Sequence, residues 1–196
     1  MGIERGDSCQ ADVLRRALQG SLEEGPQGAR RVIAREWPLE HPQSTVRKPL
    51  SRAEQLSVFY RDRFTCRYCG KRVVFVPALR LLSTLLPEDF PYHPNWKWRS
   101  CHQAYWCLAA CLDHLVPIAR GGSNTPDNVV VCCDRCNGAK SCYTLAELGW
   151  ELRDPPPGDW DGLASLFMRA MKACAVKDKG LRSWYNALQR HLTGRC

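Results

Sequence analysis

Residues 113–140 read DHLVPIARGGSNTPDNVVVCCDRCNGAK and contain the pattern that decides the fold of this chain. The segment Cys107–Leu112 before it is apolar and predicts a strand that ends at this stretch. Asn128–Cys132 is rich in valine and predicts a returning strand after a loop marked by Pro and Gly-Gly. The following residues, which include Asn137, predict a helix. We therefore expect two short strands followed by a helix, a ββα arrangement.

Two cysteine pairs frame this arrangement. Cys66 and Cys69 form one CxxC pair, and Cys133 and Cys136 form another. Two such pairs supply the four ligands of a tetrahedral zinc site, which has no open position for a substrate. The predicted Zn²⁺ therefore stabilises the fold and does no chemistry. A second zinc site is not predicted, because the spacing of the remaining candidates fits no such pair: His93, Cys101, His102, Cys107 and Cys111.

The polar residues of the same stretch predict hydrolytic chemistry. Asp113 and His114 are adjacent, and Asn137 follows directly after the second cysteine pair. An imidazole with a pKa near ~6.5 can take a proton from water at neutral pH, so His114 is the predicted general base. Carboxylate and amide oxygens suit Mg²⁺ or Mn²⁺, so Asp113 and Asn137 are the predicted ligands of a catalytic ion. Together these groups favour hydrolysis of a phosphodiester.

The ensemble CxxC, DHxxP, GG, N and CxxCNxxK over residues 66–140 resembles the HNH endonucleases, and most closely their McrA-like branch with zinc-binding cysteine pairs. The resemblance implies a ββα-metal fold and metal-dependent hydrolysis of DNA that leaves 5′-phosphate and 3′-hydroxyl ends. It also implies that Asn128 is a site residue that orients the loop or the imidazole. The chain departs from the pattern by a long insertion before Asp113 and by asparagine instead of histidine at Asn137.

Several residues are candidates for contact with nucleic acid. Aromatic and basic residues alternate at Trp96, Lys97, Trp98 and Arg99, as on a surface that stacks bases and pairs with phosphates. Packing of the tryptophans on the core is an equal alternative. Lys140 and Arg120 are candidates to bind a phosphate near the catalytic residues, and each could equally be a solvated charge.

The remaining sequence predicts an α+β protein with helices on both sides of the small metal-bound core. Residues 1–50 predict a helical, basic arm, and residues 146–196 predict a helical extension. Residues 51–145 are the expected nuclease domain, with an insertion at 71–106. Ser51 and Glu54 have the spacing of a capping box, which predicts the start of a helix.

The composition of the chain indicates its cellular location and the kind of partner it attracts. The formal net charge is +8, which favours anionic partners such as duplex or single-stranded DNA. No apolar run approaches the ~18 residues of a membrane span, and the first residues lack the apolar core of a secretion signal. We therefore expect a cytoplasmic protein without a membrane partner, whose twelve cysteines are reduced.

Two other function classes remain open at this stage. A non-catalytic zinc module could bind nucleic acid or a protein on the same scaffold. A thiol redox or metal sensor would explain the cysteines but not Asp113, His114, Asn128 and Asn137. One active site cuts one strand at a time, so double-strand cleavage would require a homodimer, a larger complex or two visits.

Overall fold

The computed structural model describes residues 4–38, 48–97 and 99–194. The chain divides into two units, Met1–Thr45 and Val46–Cys196. Trp98, one of the predicted nucleic-acid contacts, lies outside the described residues. Among the helices of these ranges, none combines the length and the apolar character that crossing a bilayer requires.

The first unit is a helical hairpin. Helix α1 (Glu4–Glu24) and helix α2 (Pro26–Glu36) are joined at Gly25, whose φ of 61° is readily available to glycine. The helices cross closely, because a Cβ atom on Gly28 would lie 2.1 Å from the carbonyl oxygen of Gly20. The helices predicted for this part of the chain are therefore confirmed.

Helix α3 (Arg52–Arg61) begins the second unit with the predicted capping box. The Ser51 hydroxyl accepts a hydrogen bond from the Glu54 N–H at 3.3 Å, and the Glu54 carboxylate accepts one from the Ser51 N–H at 2.7 Å. Asp62 ends the helix, is fully buried and accepts a hydrogen bond from the Val131 N–H at 2.8 Å. The carboxylate of Asp62 thus ties α3 to the strand that contains Val131.

The insertion between the cysteine pairs contains two helices. Helix α4 (Val76–Leu85) begins with Pro77 in its first turn, where the missing N–H of proline costs nothing. Helix α5 (Ala104–Leu108) is short and buries Ala104 and Tyr105. The aromatic rings of Tyr92 and Trp96 lie 5.2 and 5.7 Å from the Tyr105 ring. This cluster gives the insertion its own anchor on the core.

The sheet has two antiparallel strands, β1 (Ala110–His114) and β2 (Val129–Cys133). Ala110 pairs with Cys133 at one end, and His114 pairs with Val129 at the other. Helix α6 (Asp134–Lys140) follows β2 without a loop. The predicted ββα order is therefore present in a mixed helix and strand structure.

The predicted start of the first strand was wrong. Cys107 and Leu108 belong to α5, and β1 starts only at Ala110. The sheet cannot extend further in this direction, because the partner residue of Ala110 is Cys133, where β2 ends and α6 begins. Leu108 instead accepts a hydrogen bond from the Val74 N–H through its carbonyl oxygen at 2.6 Å.

The C-terminal segment contains the short helix α7 (Leu145–Leu148), helix α8 (Ala164–Ala173) and helix α9 (Lys179–Thr193). Phe167 of α8 and Trp184 of α9 both pack against the ring of buried Phe75, with ring centroids 5.7 and 5.4 Å apart. The indole N–H of Trp160 lies 3.2 and 3.1 Å from the carbonyl oxygens of Phe64 and Val73. These helices pack on the same core as the first cysteine pair.

The domain limits expected at residues 50 and 145 stay predictions.

Candidate active site and metal centre

The four predicted zinc ligands lie together. The sulfur atoms of Cys66, Cys69, Cys133 and Cys136 are all within 4.8 Å of one another, and Cys69 Sγ lies 3.9 Å from Cys133 Sγ. Four thiolates around one Zn²⁺ at about 2.3 Å would have their sulfur atoms about 3.8 Å apart. In the described part of the chain, no other group of three or more His, Cys, Asp or Glu side chains has such geometry. The cluster therefore fits a zinc ion or a metal ion of similar preference.

Local backbone bonds shape the first cysteine pair. The Cys66 N–H donates to the Lys71 carbonyl, and the Gly70 N–H donates back to the Cys66 carbonyl, each at 2.8 Å. Burial raises the pKa of the Cys66 and Cys136 thiols. Burial also acts upward on the pKa of Cys69, but a backbone hydrogen bond at Lys71 and the neighbouring thiols bring it below its usual value. Metal binding must therefore displace protons from the buried thiols.

Asp113 lies near the end of β1 and is largely enclosed. The residue is 9% exposed, and its Oδ2 atom accepts a hydrogen bond from the Tyr68 hydroxyl at 2.7 Å. The Lys140 Nζ atom lies 3.1 Å from the same oxygen. Burial and the bond to Asp113 raise the pKa of Tyr68, so the phenol stays neutral and donates its proton. One carboxylate oxygen is thus fixed by two donors.

Lys140 is a structural cation in this arrangement. The residue is fully buried, and its ammonium group also donates a hydrogen bond to the His114 carbonyl oxygen at 2.6 Å. These contacts connect the last residue of α6 to the last two residues of β1. Contact between this ammonium group and a phosphate does not fit its burial, so Lys140 is not retained among the nucleic-acid contacts.

The other candidate contacts differ in exposure. Arg120 is paired with the exposed carboxylate of Glu147, and hydrogen bonds from Arg120 and from Thr144 lower the pKa of Glu147 to about 2. Trp96 packs against Tyr105, which agrees with the packing alternative. Lys97 and Arg99 are exposed. Lys97 and Arg99 therefore remain available to a polyanion.

His114 ends β1 and is half-buried. Its Nε2 atom lies 2.8 Å from the Oδ1 atom of Asn124. This contact holds the imidazole at one of its two nitrogen atoms. Sequence reasoning missed Asn124, although its place directly after the Gly121-Gly122-Ser123 turn, in the loop that follows the Asp-His pair, could have pointed to it.

Asn128 organises the loop between the strands. Its Oδ1 atom accepts from the Val116 N–H at 2.9 Å, and its Nδ2 atom donates to the carbonyl oxygens of Val116 and Ser123 at 3.0 and 2.8 Å. A Cβ atom on Gly122 would lie 1.9 Å from the Val116 carbonyl oxygen, so only glycine fits there. Asn128 therefore contacts the loop backbone, and its assignment as a catalytic residue stays a prediction.

Asn137 lies on α6, one turn before Lys140. Residues three apart share a helix face, so Asn137 is on the side of α6 that faces the end of β1. The residue is half-buried, and no hydrogen bond joins its side chain to another residue of the described ranges. Tyr68, which lies between the cysteines of the first CxxC pair and donates to Asp113, was also missed.

Comparison with known families agrees with this site. Residues 100–152 match a family model described as HNH endonuclease, about a quarter of the 196-residue chain. The match spans β1, β2, α6 and the second cysteine pair, so the resemblance to HNH endonucleases is confirmed over this segment. Neither the curated proteins nor the solved structures contain a match to the chain. The McrA-like branch stays a prediction.

Proposed function

We propose that this protein is a metal-dependent HNH endonuclease that hydrolyses phosphodiester bonds of DNA. The observation that supports it most is the placement of His114 at the end of β1, whose partner strand β2 ends at Cys133 of the four-cysteine cluster, within the segment that matches the family. Asp113 is its neighbour on β1, and Asn137 lies on the facing side of α6.

His114 is the proposed general base. A neutral imidazole takes a proton from water, and the water oxygen forms a bond to phosphorus while the bond from phosphorus to the 3′ oxygen breaks. The 3′ oxygen leaves with that electron pair and takes a proton from solvent. The products are a 5′-phosphate and a 3′-hydroxyl. The other imidazole nitrogen is held by Asn124, which limits rotation of the ring.

Asp113 and Asn137 are the proposed ligands of a Mg²⁺ or Mn²⁺ ion. Tyr68 and Lys140 both contact Oδ2 of Asp113, which supports a role for Oδ1 as the ligand atom. Carboxylate and amide oxygens suit such ions. When bound, the ion supplies positive charge that stabilises the phosphate and the leaving oxygen. Asn128 contributes by fixing the loop backbone that follows β1.

Cleavage of supercoiled plasmid tests this proposal. Zinc-loaded protein is incubated with and without Mg²⁺ or Mn²⁺, because a chelator would also compete for the cysteine-bound ion. We expect nicking that requires the added ion and that is lost in His114→Ala. His93→Ala is the matched control, because its Nδ1 atom accepts only a local bond from the Asn95 N–H. Cleavage that persists in His114→Ala, or none by folded, zinc-loaded wild type, would overturn the proposal.

A non-catalytic module that binds nucleic acid is the second candidate. One observation favours it: Lys140 already balances the charge of Asp113, the proposed ion ligand. In that case the protein would bind DNA without cutting it, and binding would depend on exposed, positively charged side chains such as Lys97 and Arg99. Slower migration of protein-bound DNA in a gel, with no nicking at any concentration of Mg²⁺ or Mn²⁺, identifies this alternative.

A further inference from the structure

The imidazole of His114 contacts Asn124, whose amide also contacts the backbone of the segment just before α3. Gln55 of α3 donates from Nε2 to the Leu50 carbonyl oxygen at 2.8 Å, which fixes the segment just before the helix. In the same segment, the Lys48 carbonyl oxygen accepts from Asn124 Nδ2 at 2.8 Å. Asn124 Oδ1 then lies 2.8 Å from His114 Nε2. Two contacts therefore define the position of the Asn124 amide.

These contacts determine which imidazole nitrogen carries the hydrogen. A backbone carbonyl can only accept a hydrogen bond, so the amide nitrogen of Asn124 must face Lys48. The amide oxygen must then face the imidazole, and it too can only accept. His114 Nε2 is therefore the donor, and Nδ1 of the neutral ring keeps its lone pair.

We propose that Asn124 is a positioning residue that holds His114 with its hydrogen on Nε2 and leaves Nδ1 as the free proton acceptor. The role of Nδ1 as catalytic base rests on the proposed nuclease function. The position of the hydrogen does not, because it follows from the two contacts of the Asn124 amide.

Nitrogen-15 NMR of the zinc-loaded full chain, labelled at histidine, tests the assignment. His114→Ala identifies the signals of His114. In wild type we expect an Nε2–H proton that exchanges slowly with water, together with the nitrogen shifts of an Nε2–H ring. Asn124→Leu removes the acceptor at similar size and should lose the slow proton. Asn124→Asp keeps an acceptor and should retain it.

The matched control is Ser123→Ala, because the Ser123 hydroxyl contacts the Thr125 hydroxyl in the same loop. This variant should keep the wild-type signal. A slow Nε2–H proton that survives in Asn124→Leu, or a wild-type ring with its hydrogen on Nδ1, would overturn the inference.

Cleavage assays on the same variants test the connection to activity. We expect kcat to fall roughly 10- to 100-fold in Asn124→Leu with KM and the unfolding midpoint little changed, because a misplaced base slows the chemical step and not binding. If Asn124→Leu loses the slow Nε2–H signal while the wild type cuts no DNA, the positioning role stands and the nuclease function is refuted. A retained kcat in Asn124→Leu would refute the positioning role in catalysis.

Discussion

Replacing Lys140 by methionine should destabilise the second unit strongly. The substitution keeps the aliphatic stem but removes the ammonium group, which lies 3.1 Å from Asp113 Oδ2 and 2.6 Å from the His114 carbonyl oxygen. The lysine side chain is 0% exposed, so water cannot replace these contacts. Removing one partner of a buried ion pair costs about 3–5 kcal/mol. Because Tyr68 still donates to Asp113, we expect the lower end, about 3 kcal/mol.

Urea unfolding followed by circular dichroism, at matched zinc content, measures this loss. Lys97→Met is the control, since an exposed lysine away from such contacts should change stability by less than about 0.5 kcal/mol. The double variant with Asp113→Asn should lose less than the sum of the single variants, with a coupling of about 1–3 kcal/mol. A loss below about 1 kcal/mol for Lys140→Met would refute the buried ion pair.

Four further substitutions have defined outcomes. Tyr68→Phe removes a hydrogen bond to the Asp113 carboxylate and should lower the free energy of unfolding by about 1.5–3 kcal/mol in the same assay. Asn128→Ala removes three bonds to the loop backbone, so limited proteolysis should cut residues 115–127 faster than in wild type. Cys136→Ser should lower bound zinc, measured by elemental analysis, because one of four ligands is lost. Arg120→Ala breaks only an exposed ion pair and should leave stability within about 1 kcal/mol.

The parts of the fold that depend on local spacing could be predicted from the sequence. The capping box at Ser51 and the two CxxC pairs each need only residues that are close in the chain. The valine-rich run that forms β2 is likewise a local pattern. The end of α5 could not be predicted in this way, because the start of β1 depends on where its partner strand ends.

The sequence suggests candidate residues for the site, but their contacts could not be predicted from it. Lysine is usually exposed, so nothing in the sequence predicts a fully buried Lys140. Its burial depends on Asp113, twenty-seven positions earlier, which the pairing of β1 and α6 brings to 3.1 Å. The bond between His114 and Asn124 similarly depends on the loop conformation that Asn128 and the Lys48 carbonyl maintain.

Helix α6 follows β2 directly, so a tilt at the start of the helix moves its far end. Its first turn contains Cys136 of the metal cluster, and its last residue contacts His114. Seven residues of helix span about 10 Å, so a tilt of about 10° at the cluster moves the far end by about 2 Å. We therefore expect the size of an ion bound by the cysteines to influence the distance between α6 and the end of β1. Substituting a larger thiophilic ion, such as Cd²⁺, should alter the geometry around His114 without any amino-acid substitution near it.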